Sequence, residues 1–235
     1  MSNFQSCSDL RIFVGYDSRE DIAYQVCKAS ILEHNPGAEV YPLRLDDLRE
    51  RGLYWRPADP LSATEFSFSR FLVPTLTDHK GWALFMDCDF LVRHSLDGLW
   101  DYADPEKAVC VVKHEYEPTS LRKMDGQAQR RYPRKNWSSF MFFNTAHYLC
   151  YNLTPEIVNG ESGMYLHRFM WANDNAIGEL PPTYNYLEGW HTRAQVADPI
   201  AVHFTEGGPW FDGYQNVEYA YEWNRTAGRV RASER

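Results

Sequence analysis

The sequence predicts a single α/β domain built on a central, mostly parallel sheet flanked by helices. Two observations carry this. Short apolar runs of strand length alternate with segments whose apolar residues recur at helical spacing, the order that winds strands into a parallel sheet. Across residues 1–235 there is no internal repeat, low-complexity stretch or Pro/Gly/Ser-rich linker to divide the chain. In such a sheet ligands gather outside the carboxyl ends of the strands, so residues that close a strand are the first site candidates.

Arg11 to Gly15 (RIFVG) reads as the first strand, and Ser18 with Asp21 three residues on gives a capping signal for the helix that follows. Ile22, Ala23, Val26, Cys27, Ser30 and Ile31 keep helical spacing until Asn35, Pro36 and Gly37 stop it. Glu39 to Leu45 is a second strand, placed near a sheet edge by Pro42. Ser62 to Leu76 has helical spacing and delivers Arg70 to one face, with Pro74 bending or ending the helix. Trp82 to Val92 (WALFMDCDFLV) reads as a strand buried on both faces and interrupted by two acids. Ala108 to Lys113 and Ser138 to Phe143 are further strands, Gly163 to Trp171 a helix, and Ala201 to Phe204 the last short strand. After Asn216 the chain turns polar, with Arg225, Arg229, Arg231 and Arg235 near its end. Residues 216–235 read as a solvated peripheral tail, or as a weak anchor for anionic lipid or an acidic acceptor.

Composition excludes several classes. Hydrophobic residues make up 44% and charged residues 24%, ordinary globular usage that rules out a disordered chain. With 24 basic against 32 acidic residues the net charge of -8 repels polyanions, so no nucleic-acid partner is expected. Apolar runs such as Trp82 to Met86 fall far short of the roughly 20 residues of a transmembrane helix. The five cysteines are odd in number and show no CxxC spacing, which suggests neither a disulfide framework nor a zinc knuckle. The polar N-terminus lacks the pattern of a secretory signal, so a cytoplasmic location is expected. The 8 Trp and 15 Tyr supply flat faces suited to sugar rings and equally to a core.

Asp87-Cys88-Asp89 is the strongest local signal, because acids inside an apolar strand are costly unless they pair with a cation. Two hard oxygen ligands suit Mg2+ or Mn2+, which keep positions open for substrate phosphates. A salt-bridge role is the alternative. His203 follows a short apolar strand in AVHFTEGGPW, where a histidine is either a satisfied structural residue or a further ligand. Asp17 closes the first strand and its turn, and can also cap the next helix.

With these pieces in order, the sequence resembles the GT-A glycosyltransferases, and among them the family 8 retaining enzymes that include glycogenins and bacterial lipooligosaccharide galactosyltransferases. The resemblance spans most of the chain, through IFVGYDSREDIAY (Ile12 to Tyr24), SRFLVPTL (Ser69 to Leu76), LFMDCDFLV (Leu84 to Val92), SSFMFFN (Ser138 to Asn144), NDNAIGELPPTYN (Asn173 to Asn185) and HFTEGGPW (His203 to Trp210). It implies a GT-A, Rossmann-like fold in which Gly15, Tyr16 and Asp17 hold the base and ribose of a nucleotide-sugar. It implies that Arg70 reaches the donor sugar or the acidic triplet. Asp87, Cys88 and Asp89 form the metal-binding triplet, with Asp87 and Asp89 as ligands and His203 as the third. Ser138 and Ser139 lie beside the donor sugar, or are plain strand residues. Asp174 falls where the family places a residue beneath the anomeric carbon, although Asn173 and Asn175 replace the family's outer acids; a helix-end cap is the alternative. The family's HxxGxxKPW ending is HFTEGGPW here, with Gly208 in place of the diphosphate-binding lysine. Another cation, with Lys113, Arg134 and Lys135 as candidates, or the backbone N–H groups of Gly207 and Gly208 must then meet the phosphates. Glu206 beside those glycines faces the metal, the acceptor or solvent.

The implied reaction is metal-dependent transfer of a hexose from a nucleoside diphosphate sugar, a UDP-hexose above all, to a hydroxyl of a glycan, glycolipid or small molecule, with retention of configuration. Arg70 and Asp174 are its candidate catalytic residues and Mn2+ or Mg2+ its cofactor. Three alternatives stand beside it. A haloacid-dehalogenase-like phosphatase would use the Asp87-Cys88-Asp89 strand, but Leu91 stands where that group has threonine or valine and a late acidic pair is lacking. A non-catalytic sugar-binding module would need only the aromatic rings. A nucleotidyltransferase would need a glycine-rich, basic triphosphate loop after the first strand, where Asp17 and Arg19 stand instead.

Overall fold

A computed structural model describes residues 10–57, 64–115 and 134–233. Strand β1 (Arg11–Gly15) leads through a 3-10 turn into helix α1 (Asp21–His34), then β2 (Glu39–Leu43) and α2 (Leu45–Glu50). Helix α3 (Val73–Leu76) precedes β3 (Trp82–Met86) and β4 (Phe90–Val92), and β5 (Val109–Val111) follows. Next come β6 (Phe140–Asn144), α4 (Pro155–Gly160), α5 (Gly163–His167), β7 (Ile177–Glu179), β8 (Tyr186–Leu187), β9 (Ala201–His203) and α6 (Ala220–Ser233). The six-stranded main sheet runs β2-β1-β3-β6-β5-β7, and a three-stranded sheet runs β4-β9-β8. In the main sheet only β6 is antiparallel to its neighbours β3 and β5. The mixed, mostly parallel α/β prediction therefore holds, and β2 is an edge strand, where Pro42 leaves no central ladder bond unmade.

Strand β3 is buried from Ala83 to Met86 and β6 along its whole length, so this centre of the sheet tolerates no charge. That corrects the single strand expected over Trp82 to Val92. The chain leaves the main sheet at Asp87, whose N–H still donates to Ser139 O at 3.0 Å, and joins the small sheet at Phe90, which pairs with His203. The acids are the hinge between two sheets, because neither sheet offers their carboxylates solvent or a cation inside its ladder.

Other expectations change as well. Asp17, not Ser18, caps the turn before α1, accepting from Arg19 N, while Ser18 donates to Glu65. Of the helix expected over Ser62 to Leu76, residues 62–63 lie outside the described residues, and the helical part is a 3-10 turn (Ser69–Leu72) running into α3. Pro74 sits in the first turn of α3, where its missing N–H costs nothing, and does not end the helix. Ser138 and Ser139 stand in a 3-10 turn (Trp137–Ser139) before β6 and are not strand residues. Helix α5 stops at His167 and not at Trp171: Phe169 adopts a left-handed φ of 56°, and Met170 N–H closes back on Tyr165 O at 2.9 Å.

Of the solvated tail expected over 216–235, residues 234–235 lie outside the described residues, and helix α6 is exposed on one face only. Ala220, Trp223, Thr226 and Ala227 recur at helical spacing and are buried, as α6 packs along α1. Trp223 stacks on Trp210 with ring centroids 5.3 Å apart, and Arg229 pairs with Glu33 of α1. Of the five cysteines, Cys27, Cys88, Cys110 and Cys150 are buried free thiols, and Cys7 lies outside the described residues. Among the described residues no helix is long and apolar enough to cross a membrane.

Candidate active site

The carboxyl ends of β1 and β3 lie side by side, with Val14 in register with Met86, so Gly15 and Asp87 leave the sheet together. Gly15 is required by packing: a Cβ there would stand 2.4 Å from the Phe66 ring. Tyr16 follows, its hydroxyl donating to Asp21 at 2.8 Å and its ring covered by the Arg44 guanidinium at 3.7 Å. Asp17 is fully buried. Burial opposes its charge, but hydrogen bonds from the Arg19 guanidinium, Arg19 N and Glu65 N outweigh it and hold the carboxyl below its ordinary pKa. The structure thus gives Asp17 the capping role that the sequence left open.

Arg70 is the basic centre. It is 5% exposed, held between the Phe66 and Phe85 rings, and donates to Ser138 O at 2.8 Å while pairing with Asp87 Oδ1 at 2.8 Å. Asp89 lies across the turn, its Oδ2 3.3 Å from His203 Nε2, and its backbone carbonyl accepts from Phe204 N. The Phe90–His203 register also stacks the imidazole on the Phe90 ring, 4.4 Å away and nearly parallel. One ligand atom each from Asp87, Asp89 and His203 falls within 4.8 Å of the others, the one such cluster among the described residues. Two carboxylates and an imidazole are a donor set that can hold a divalent cation. Cys88 between them belongs to the apolar core, and burial pushes its thiol pKa well up, so its part is to set the two acids on the same side of the chain.

Ser138 Oγ meets His167 Nδ1 at 2.8 Å. His167 is half-buried beside Arg70, and the desolvation of its ring, then the Arg70 charge, bring its pKa down to about 3, so the imidazole is neutral. Ser139 Oγ donates to Asn136 O at 2.7 Å and accepts from Asn185 Nδ2 at 2.9 Å. Asn185 in turn reaches His203 Nδ1 through Oδ1 at 3.0 Å.

After β9 the loop carries Glu206, Gly207 and Gly208. Gly207 N–H is spent on Phe204 O at 2.9 Å, and its φ of 135° favours glycine. At Gly208 an added Cβ would lie 1.8 Å from the Trp210 ring, so no side chain, a lysine included, fits without displacing that ring. Trp210 Nε1 donates to Glu20 at 3.0 Å. Burial, then the nearby Asp89 charge, raises the Glu20 pKa to about 7. Of the candidate cations, Arg134 is committed to Asp174 at 2.5 Å and to Arg168 O, while Lys135 is buried and Lys113 half-buried. Asp174 opens a short 3-10 turn capped by Asn173 and is 80% exposed, so the cap belongs to its neighbour.

The structure therefore brings Arg70, Asp87, Asp89, Ser138, Ser139 and His203 to one place, with Gly15, Tyr16 and Asp17 on the adjoining strand end. Sequence reasoning missed Glu20, Asn185, His167 and His114. The last is a buried imidazole 5.5 Å ring to ring from His191, brought to a pKa of about 3 by burial and then by His191 and His203. Asn185 and His167 carry no local signal, since their partners are 18 and 29 residues away.

The layered sheet with an acidic turn at the carboxyl end of β3 is the fold of the GT-A glycosyltransferases. The bifunctional glycosyltransferase WbbM matches 99% of this chain at a TM-score of 0.66 and 14% identity, and this chain spans 52% of that protein. The galactosyltransferase LgtC, solved with donor and acceptor sugar analogs, matches 94% of this chain and 96% of its own at a TM-score of 0.58 and 14% identity. No model of a known protein family matches the sequence. The chain belongs to the family of Protein CDI of Arabidopsis thaliana, with which it is 50% identical over 218 residues, 91% of this chain and 84% of that protein.

Proposed function

We propose that the chain transfers a hexose from a nucleoside diphosphate sugar, a UDP-hexose by its resemblance to family 8, to an acceptor hydroxyl, with Mn2+ or Mg2+ as cofactor. The observation that carries the proposal is the convergence of Asp87, Asp89 and His203 at the strand end where α/β sheets bind ligands, within a GT-A fold. A divalent cation held by these three would act as a Lewis acid on the departing diphosphate. Arg70 orders the site: it fixes the Asp87 carboxylate and the Ser138 carbonyl and adds positive charge where negative charge develops. Tyr16 and Gly15 receive the nucleotide at the end of β1, with the Tyr16 ring held by Arg44 and Tyr24. Gly208 stands where the family has lysine and packs against the Trp210 ring, so the task of charge neutralisation falls to Arg70 and the cation.

Asp174, exposed and oriented by Arg134, is the carboxylate we assign to the sugar side of the site, with retention of configuration as the family resemblance implies. The phosphatase alternative is disfavoured by Leu91, which stands where that group has threonine or valine, and by the missing late acidic pair. The acceptor is a glycan, glycolipid or small molecule. The test is UDP release from a panel of UDP-sugars with Mn2+, repeated with chelator and with Asp89→Ala. Loss of activity in both arms supports the reading; activity unchanged in both refutes it, and phosphate release from a phosphomonoester without sugar donor would favour the phosphatase.

A further inference from the structure

We infer that Asn185 is a positioning residue that locks His203 in one tautomer, with the proton on Nδ1 and the Nε2 lone pair presented to Asp89. The inference rests on the cation reading of this cluster and follows from donor and acceptor bookkeeping that starts at a backbone carbonyl. Asn136 takes a left-handed φ of 65° just before the 3-10 turn of Trp137–Ser139, and its carbonyl, which can only accept, points back into that turn. Ser139 Oγ spends its single proton there at 2.7 Å, so it offers only lone pairs to its other neighbour. That neighbour is the Asn185 side chain, which must therefore turn its amide nitrogen toward Ser139, at 2.9 Å, and toward the same Asn136 carbonyl, at 3.5 Å. Flipping the amide would set its oxygen against Asn136 O and leave these two oxygens competing for the single serine proton.

With the nitrogen end fixed, the Asn185 oxygen faces His203 Nδ1 at 3.0 Å and can only accept, so Nδ1 carries hydrogen. Asn185 is fully buried and His203 is 2% exposed, so water does not relax the constraint. Nε2 then faces Asp89 Oδ2 at 3.3 Å with a lone pair opposed to a lone pair, an arrangement that a metal ion or a proton between them makes favourable. The chain from Asn136 to His203 thus prepares the imidazole as a ligand before any ion arrives.

The test is two-bond 1H–15N correlation spectroscopy on histidine-labelled, metal-free protein at about pH 8.5, where an ordinary imidazole is neutral. The His203 signals are assigned by their loss in His203→Gln. Mn2+ affinity is read separately by electron paramagnetic resonance. The inference expects Nδ1–H in the wild-type protein. In Asn185→Leu it expects a shift toward the other tautomer and about 10–100-fold weaker Mn2+ binding. Asn185→Asp keeps an acceptor oxygen toward Nδ1 and is expected to retain the tautomer. Where the leucine variant does not fold, Ser139→Ala serves, since it frees the amide to flip and should mix the tautomers. An Nε2–H wild-type spectrum, or Asn185→Leu with tautomer and affinity both unchanged, overturns the inference. Unchanged Mn2+ affinity in Asp89→Ala overturns the cation reading itself, a separate failure that the tautomer spectra do not share.

Discussion

Gly208→Ala is a one-methyl change with a consequence that can be worked from the structure. The new Cβ would meet the Trp210 ring at 1.8 Å, far inside contact distance, so the indole must move. Moving it strains the loop by about 1–3 kcal/mol, the usual cost of overpacking. It also breaks the 3.0 Å hydrogen bond to Glu20, worth about 0.5–1.5 kcal/mol. The stack on Trp223 at 5.3 Å is lost as well, for about 0.5–1.5 kcal/mol. Because these terms share one ring and do not simply add, we expect a destabilisation of about 3 kcal/mol, or a Tm lower by roughly 6–12 °C for a chain of this size. Denaturant unfolding of Gly208→Ala, Trp210→Leu and the double variant measures it. If the clash is the cause, the double variant is no less stable than Trp210→Leu alone. A Gly208→Ala protein within about 0.5 kcal/mol of wild type would refute the reasoning, and with it the claim that a lysine cannot occupy this position.

Further predictions concern pH and packing. His114, with a folded pKa of about 3 against about 6.5 unfolded, contributes stability that is fully present above pH 6.5 and lost as pH falls toward 3; His114→Gln should remove about 2 kcal/mol of the difference between pH 7 and pH 5 in chemical unfolding. Glu20 has the opposite sign. With its pKa raised to about 7, its contribution is present below about pH 4.5 and lost as pH rises through 7, so in metal-free buffer Glu20→Gln should gain on the order of 1 kcal/mol over wild type at pH 8 and nothing at pH 4. Trp223→Ala should cost about 3–5 kcal/mol in thermal or chemical unfolding, because α6 is docked by that buried ring; a loss under about 1 kcal/mol would mean that the helix is peripheral after all.

How much of this was legible differs from residue to residue. Strand β1, helix α1 and the edge position of β2 follow from apolar runs, Gly and Pro punctuation and helical spacing, all local properties. Asp87 and Asp89 stood out because carboxylates after LFM contradict an apolar ladder, and Arg70 and His203 followed from the family resemblance. The break of 82–92 into two sheets was hidden because Phe90 to Val92 is as apolar as Trp82 to Met86; only its pairing with β9, over 100 residues on, distinguishes it. Asn185, His167 and Glu20 were invisible for the same reason: their meaning lies in Ser139, Ser138 and Trp210, far away in sequence. Helix α6 was a matter of weighting. Trp223, Thr226 and Ala227 do show helical spacing, but the surrounding arginines and glutamates outweighed three buried positions.

The central claim is that Asp87, Asp89 and His203 hold one divalent cation that grips a nucleoside diphosphate. Titrating Mn2+ into the protein with and without UDP, followed by electron paramagnetic resonance, tests it most directly. The account predicts one bound ion per chain, tightened by UDP, with Asp89→Ala and His203→Ala each weakened by about 100-fold. Binding of equal strength in wild type and both variants, indifferent to UDP, would contradict it.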